Sequence, residues 1–246
     1  MLAVIGGSGL TRLSSLAVTR RKAVKTPYGD PSGEIVHGTI RGRAVMFLGR
    51  HGDGHTIPPH EVNYRANLWA LKEEGAASVV AVASVGGVRP DLGPGVLVVP
   101  HQIIDYTWGR RATFFDGGDV PVTHVDFTHP YTESLRQRIL AAARAASEAV
   151  VDGGVYAATQ GPRLESAAEI DRLERDGADM VGMTGMPEAA LARELELEYA
   201  AIAVVVNHAA GRGESRNGIA LDGIEAMLQK TIGRARHVIE ELARLP

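Results

Sequence analysis

Ser78-Val79-Val80-Ala81-Val82-Ala83 is a nearly continuous apolar run of the kind found in strands covered on both faces, where no alternation between core and water is needed. Upstream of it, Glu61–Glu74 puts Val62, Ala66, Trp69 and Ala70 on one helical face and stops at Gly75, a residue suited to the position just past a helix. Downstream the alternation continues. Val96–Val99, Val155–Ala158, Met180–Met183 and Ala200–Val206 read as strands, and Glu133–Ser147, Ser166–Arg175, Glu188–Leu195 and Asp222–Leu245 carry helical patterns. In the last of these Ile224, Leu228, Ile232, Ala235, Ile239 and Leu242 recur at helical spacing. Towards the N-terminus, Leu2–Ile5 is a short apolar strand running into Gly6-Gly7-Ser8-Gly9, and Glu34–Ile40 and Arg43–Leu48 flank Arg41-Gly42 as a hairpin would. Strands alternating with helices predict an α/β fold, a central mixed, twisted sheet with helices on both sides. No repeat, low-complexity block or linker divides the chain, so a single domain over residues 1–246 is expected.

The bulk numbers narrow the field of functions. Apolar residues make up 45% and charged residues 22% of the 246, a balance that can bury an ordinary core. The net charge of -3, without a basic stripe, argues against a nucleic-acid partner. No apolar run is long enough to span a bilayer, and glycines at 6, 7 and 9 interrupt the N-terminus where a signal peptide would need its apolar stretch, so the cytoplasm is the expected compartment. There is no cysteine, which removes disulfides, thiolate nucleophiles and Cys-ligated zinc.

In sheets of this kind ligands bind at loops beyond the strand ends, and here those loops hold the polar residues and glycines. Gly6-Gly7-Ser8-Gly9 lets backbone N–H groups approach an anion and adds the Ser8 hydroxyl. It is neither a dinucleotide fingerprint nor a P-loop, and alone it is only a glycine-rich turn. Arg50 offers a planar cationic fork to phosphate and His51 a further donor; the alternative is a solvated loop. His51, His55 and His60 have the spacing of metal ligands on a helix, but Gly52, Gly54, Pro58 and Pro59 oppose a helix there, so no metal is expected. Ala83-Ser84-Val85-Gly86-Gly87 is read as a tight strand–helix connection whose Ser84 hydroxyl and amides can cup the anion's second edge. Three further segments, Thr159–Glu165, Gly182–Glu188 and Val206-Asn207-His208, each follow a strand. Glu165 can equally be a helix-start carboxylate, Thr184 an N-cap and Asn207 a turn residue. Taken together the loops describe a phosphate site beside a pocket holding an acid and an amide.

At this point the residues resemble a known family. Gly6-Gly7-Ser8-Gly9-Leu10, Arg50-His51-Gly52, Val62-Asn63-Tyr64-Arg65-Ala66-Asn67-Leu68-Trp69-Ala70-Leu71, Gly161-Pro162-Arg163 and Met183-Thr184-x-x-Pro187-Glu188 are similar, in the same order, to motifs of the trimeric purine nucleoside phosphorylases and methylthioadenosine phosphorylases. The resemblance implies their fold and a phosphate site made of Ser8 (usually threonine in the family), Arg50, His51, Ser84 and Thr184. It places Met183 against ribose and Leu164 where the family commonly has a phenylalanine against the purine. It implies that His124, in Thr123-His124-Val125, is lent to a neighbouring subunit's active site, hence a homotrimer. Inorganic phosphate would be a co-substrate, with no cofactor.

Phosphorolysis breaks an N-glycosidic bond through a ribose with oxocarbenium character while the leaving purine gathers negative charge. Donors are needed at the purine and an anion beneath the sugar. The Asn207 amide can donate to purine N7 or O6, and Glu165 can accept from N1–H, which a 6-oxopurine has and neutral adenine lacks. The adenine-specific members of the family carry aspartate where Asn207 stands. Purine nucleoside phosphorylases that prefer a 5'-hydroxyl have a histidine near Leu221, so the apolar Leu221 and Ile224 point to a 5'-methylthio group. The expected substrates are 5'-methylthioinosine and phosphate. A broad 6-oxopurine phosphorylase, a methylthioadenosine phosphorylase, a nucleoside hydrolase and a non-catalytic nucleotide-binding module stand as rivals.

Overall fold

The computed structural model describes residues 1–118 and 120–245; the side chains of residues 221–226 lie outside the described set. Within it, one mixed sheet runs in the order β2 (Ala17–Lys22), β3 (Ile35–Ile40), β4 (Arg43–Gly49), β1 (Leu2–Gly6), β5 (Ser78–Gly87), β10 (Met180–Gly182), β9 (Val155–Ala158) and β7 (Gln102–Asp105), and a branch of β11 (Glu198–His208), then β6 (Leu97–Val99), then β8 (Val150–Asp152) leaves from β5. Its centre is four mutually parallel strands, β4 (Arg43–Gly49), β1 (Leu2–Gly6), β5 (Ser78–Gly87) and β11 (Glu198–His208). The apolar residues of β1 and the first half of β5 are buried on both faces, as the unalternating sequence requires. One face is covered by α1 (Tyr64–Glu73) and α4 (Gly185–Glu194), the other by α2 (Glu133–Ala145) and α5 (Leu221–Leu242), in two separate apolar clusters. A third, smaller cluster lies under α3 (Ala167–Arg175). Among the described residues no helix is long and apolar enough to cross a membrane.

The hairpin of β3 (Ile35–Ile40) and β4 forms, and Arg41 and Gly42 both take positive φ, 48° and 81°. The expected helix at Glu61 starts at Tyr64 instead, because Asn63 accepts the Ala66 N–H and caps it there. For α3 the cap is Ser166, whose side chain forms a reciprocal capping box with Glu169. Three strands have no clear sequence signal. The edge strand β2 (Ala17–Lys22) is exposed throughout, and β7 (Gln102–Asp105) and β8 (Val150–Asp152) are short and only partly buried.

The main departure from the sequence reading is at Ala83–Gly87, expected as a loop and found as the second half of β5. That half is paired along one edge and, at its two glycines, on the other. On one side β11 continues alongside to Asn207 and His208; on the other, β10 (Met180–Gly182) pairs antiparallel with Gly86 and Gly87. Between Ala81, where β1 stops, and Gly86, where β10 begins, β5 lacks a strand neighbour on that edge. This gap positions the site described next.

Candidate active site

Into the gap come the loop after β1 and the loop after β4. A Cβ on Gly7 would stand 2.6 Å from the Val82 carbonyl oxygen, so only glycine lets the backbone approach this closely. Arg50 follows β4, is 1% exposed, and donates from Nη1 to the same Val82 carbonyl at 3.0 Å. Its Nε and Nη2 donate to the two carboxylate oxygens of Glu188 at 2.7 and 2.8 Å, a bidentate pair. Burial pushes the guanidinium pKa down, but the Glu188 carboxylate more than offsets this and the net direction is upward, so Arg50 stays charged. Glu188 is itself fully buried and also accepts from the Tyr199 hydroxyl at 2.8 Å. Burial and the neighbouring Glu188 raise the Tyr199 pKa well above the ordinary phenol value, which keeps it a donor. Three of the five guanidinium N–H groups are thus committed, and two remain for a ligand.

The antiparallel course of β10 brings Met183 and Thr184 back beside the gap. Thr184, 7% exposed, stands at the start of α4 but makes no side-chain capping bond. Among the described residues the Ser84 hydroxyl reaches only the Ser8 carbonyl, at 3.5 Å, and the Ser8 hydroxyl only His55 Nε2, at 3.4 Å. These are weak contacts that an anion can replace. Ser8, Arg50, His51, Ser84 and Thr184 therefore line one cavity of about 780 Å³.

His51 takes a more specific state than its sequence position indicates. Its Nδ1 lies 2.8 Å from the Ile57 carbonyl oxygen, which can only accept, so Nδ1 carries the proton. In the neutral ring Nε2 is then an acceptor, suited to the hydroxyl of a protonated phosphate. Burial first, and Arg50 second, push its pKa down to about 4, so the ring is neutral at pH 7. The unfolded chain takes up this proton below the ordinary imidazole value of 6.5 while the folded chain resists until about 4. Acid thus favours unfolding, and folded stability falls as pH drops through that window. His37, lowered by burial and by Arg20, contributes in the same sense, so the expected result is a difference: melting temperature drops less between pH 6.5 and 4 in His51→Asn than in the parent. Parallel melting curves for the two proteins would reject the assignment.

The same cavity is lined by Leu164, Glu165, Met183 and Asn207. A bulge in β11, where the register against β5 shifts between Val205 and Asn207, sets the direction of Asn207. One N–H of its carboxamide is fixed on the His208 carbonyl at 2.6 Å, which orients the group and leaves the second N–H to donate. Glu165 is held by the Thr159 hydroxyl, which donates to Oε1 at 2.6 Å and leaves Oε2 to accept. Leu164 is 42% exposed. Apolar Val206, Ile219 and Leu228 also line the cavity. The expected 5'-end residues Leu221 and Ile224 lie outside the described side chains. His124 is exposed and does not line its own chain's cavity. Among the described residues no three His, Asp or Glu side chains cluster as a metal site, and the His51 and His55 rings instead pack 4.4 Å apart.

Two contributors escape the sequence reading in their roles. Glu188 was legible only as part of a motif, and nothing local announces that its partner is Arg50, 138 residues away. Thr159 precedes Glu165 by six residues, a spacing that reveals contact only once the loop is folded.

The family model described as the phosphorylase superfamily matches residues 1–244. A protein from Pseudomonas syringae pv. tomato, named a probable S-methyl-5'-thioinosine phosphorylase, is 57% identical over 95% of this chain and 94% of its own. The 6-oxopurine nucleoside phosphorylase of Pyrococcus furiosus is 46% identical over 85% of this chain and 80% of its own. Methylthioadenosine phosphorylase from Schistosoma mansoni, solved in complex with adenine, superposes with a TM-score of 0.93 at 34% identity, covering 99% of this chain and 90% of that one. With a family match running from the first residue almost to the last and a relative 57% identical over 95% of its length, the chain belongs to the phosphorylase superfamily.

Proposed function

We propose that this chain is a purine nucleoside phosphorylase that converts 5'-methylthioinosine and phosphate into hypoxanthine and 5-methylthioribose 1-phosphate. The observation that carries the reading is that Glu165 and Asn207 line the same cavity as Arg50, Ser84 and Thr184. A phosphate in the cup attacks C1' of the ribose: the C1'–O bond forms, the C1'–N9 bond breaks, and the bonding pair leaves on the purine. The free N–H of Asn207 meets that charge at N7 or O6, and the open oxygen of Glu165 holds N1–H. Because Glu188 offsets the charge of Arg50, the phosphate is bound mainly by hydrogen-bond donors and keeps negative charge to stabilise the cationic sugar. Met183 and the apolar Val206, Ile219 and Leu228 supply the environment for ribose and a 5'-thioether.

Support for the methylthio preference comes also from the Pseudomonas relative's name, and for the 6-oxopurine base from that of the Pyrococcus relative. We read the protein as a homotrimer in which His124 reaches a neighbour's pocket. The exposed Trp108, Val122 and Val125 on the same segment, 72%, 75% and 37% exposed, support a covered surface there.

Steady-state comparison of four nucleosides tests the reading. 5'-Methylthioinosine should outperform inosine by about 10- to 200-fold in kcat/KM, the worth of one apolar substituent. It should outperform 5'-methylthioadenosine by up to about 10⁵-fold, because adenine leaves Glu165 without its donor. Guanosine reports on a broader 6-oxopurine range. Release of base without added phosphate would mean hydrolysis, and faster cleavage of methylthioadenosine would overturn the base assignment.

A further inference from the structure

Arg110 has no place in the cavity lining, yet it touches three of the segments that build it. It lies in the segment after β7, and among the described residues it makes no ion pair. Its Nη2 donates to the carbonyls of Thr159 at 3.3 Å and Gln160 at 2.9 Å. Its Nη1 donates to the carbonyls of Met183 at 2.8 Å and Met186 at 2.6 Å, and to the Tyr64 hydroxyl oxygen at 3.3 Å. The guanidinium also lies 5.6 Å from the centre of the Tyr64 ring, and the Tyr64 hydroxyl donates to the Pro59 carbonyl at 2.9 Å. Each of these strands of contact ends at the cavity. Thr159 holds Glu165, Met183 and Thr184 line the ribose and phosphate end, and Pro59 lines the wall beside His55. The two main loops also meet directly: Gly161, at φ 62°, packs against Met183 so closely that a Cβ there would force the Met183 side chain to shift.

We propose that Arg110 is a positioning residue that locks the base-binding loop (159–165) to the loop carrying Met183 and Thr184, and so fixes the distance between the leaving purine and the attacking phosphate. Four backbone carbonyls converge on one guanidinium. Without the cation their aligned oxygen dipoles repel and lack donors, and the loops part. A planar fork with four terminal N–H groups can serve both loops at once; an ammonium with three donors around one point cannot match that geometry. The Arg110 Nε is buried without a partner among the described residues, so the side chain is placed for its terminal contacts at the expense of its own satisfaction. The catalytic consequence is on alignment more than on affinity, since each loop still carries its own ligand contacts.

The inference rests on the proposed phosphorolysis, and the experiment keeps the two apart by assaying the parent on methylthioinosine and inosine first. Arg110 is then tested on whichever nucleoside the parent cleaves. In Arg110→Met, kcat should fall on the order of 100-fold, while KM for nucleoside and for phosphate each change by less than about fivefold. Millimolar methylguanidinium should restore part of the lost kcat, which a purely structural defect would not allow. Arg110→Lys, which keeps the charge, should fold with a melting temperature near the parent's and show an intermediate kcat. If Arg110→Met does not fold, Arg110→Lys decides alone: a parental kcat in it overturns the proposal. So does an Arg110→Met kcat within about threefold of the parent per folded protein, or a loss that appears only in KM.

Discussion

Asn207→Ala lowers kcat/KM for 5'-methylthioinosine by about 10²- to 10³-fold, the effect of removing one aligned donor from a developing anion, about 3–4 kcal/mol. The carboxamide is already oriented before substrate arrives, because one N–H is spent on the His208 carbonyl and the β11 bulge fixes the backbone beneath it. In the proposed reaction the transition state would therefore gain a hydrogen bond without the cost of ordering a free side chain. The loss should fall chiefly on kcat, since the purine carries little charge in the ground state and much in the transition state. Asn207→Asp should be at least as damaging towards methylthioinosine, because its ionised oxygens can only accept where N7 and O6 need a donor. Steady-state kinetics of the two variants, with melting curves to confirm folding, checks this. A kcat within about threefold of the parent in Asn207→Ala would remove Asn207 from the chemistry and take the base assignment with it.

Glu188→Ala should produce the largest loss of stability of any single change considered. Arg50 is 1% and Glu188 0% exposed, so removing the carboxylate strands a guanidinium in the interior. Breaking a buried pair from one side costs about 3–5 kcal/mol. In a chain of this size that lowers the melting temperature by on the order of 10 °C. The Tyr199 hydroxyl loses its acceptor at the same time. The phosphate KM should rise steeply, because the released guanidinium no longer presents its two open N–H groups in the same direction. The double variant Arg50→Met with Glu188→Leu separates the two roles. An apolar pair of similar volume can recover much of the stability, as replacement of a whole buried ion pair often does, while phosphorolysis stays lost. If Glu188→Ala melts within about 2 °C of the parent with an unchanged phosphate KM, the pair is not what holds the anion cup.

Some of these features were legible in the sequence and others were not. Asn207 and Glu165 were legible as an amide and an acid following strands, and their placement in one cavity with Arg50, Ser84 and Thr184 agrees with that reading. The β-strand character of Ala83–Gly87 was not legible. Two glycines and a serine look like a turn, and pairing with β11 along one edge, joined at the glycines by β10 on the other, keeps them extended. His51 was visible as a polar side chain, but its tautomer depends on the Ile57 carbonyl, which the chain brings to it through the turn at Gly52–His55.

By itself the sequence determined the alternation of strands and helices, the double burial of the first half of β5, and the residue types available at each strand end. All of these are local: they follow from apolar periodicity, side-chain length and the conformational limits of glycine. The tertiary structure alone decided that β1 ends short of β10 along β5, so that a gap opens for Arg50 and Gly7, that Glu188 reaches Arg50 there, and that Arg110 ties the loop at 159–160 to the one at 183–186. Those features depend on strand order and on partners between 46 and 138 residues apart, and no local propensity encodes a partner at that separation.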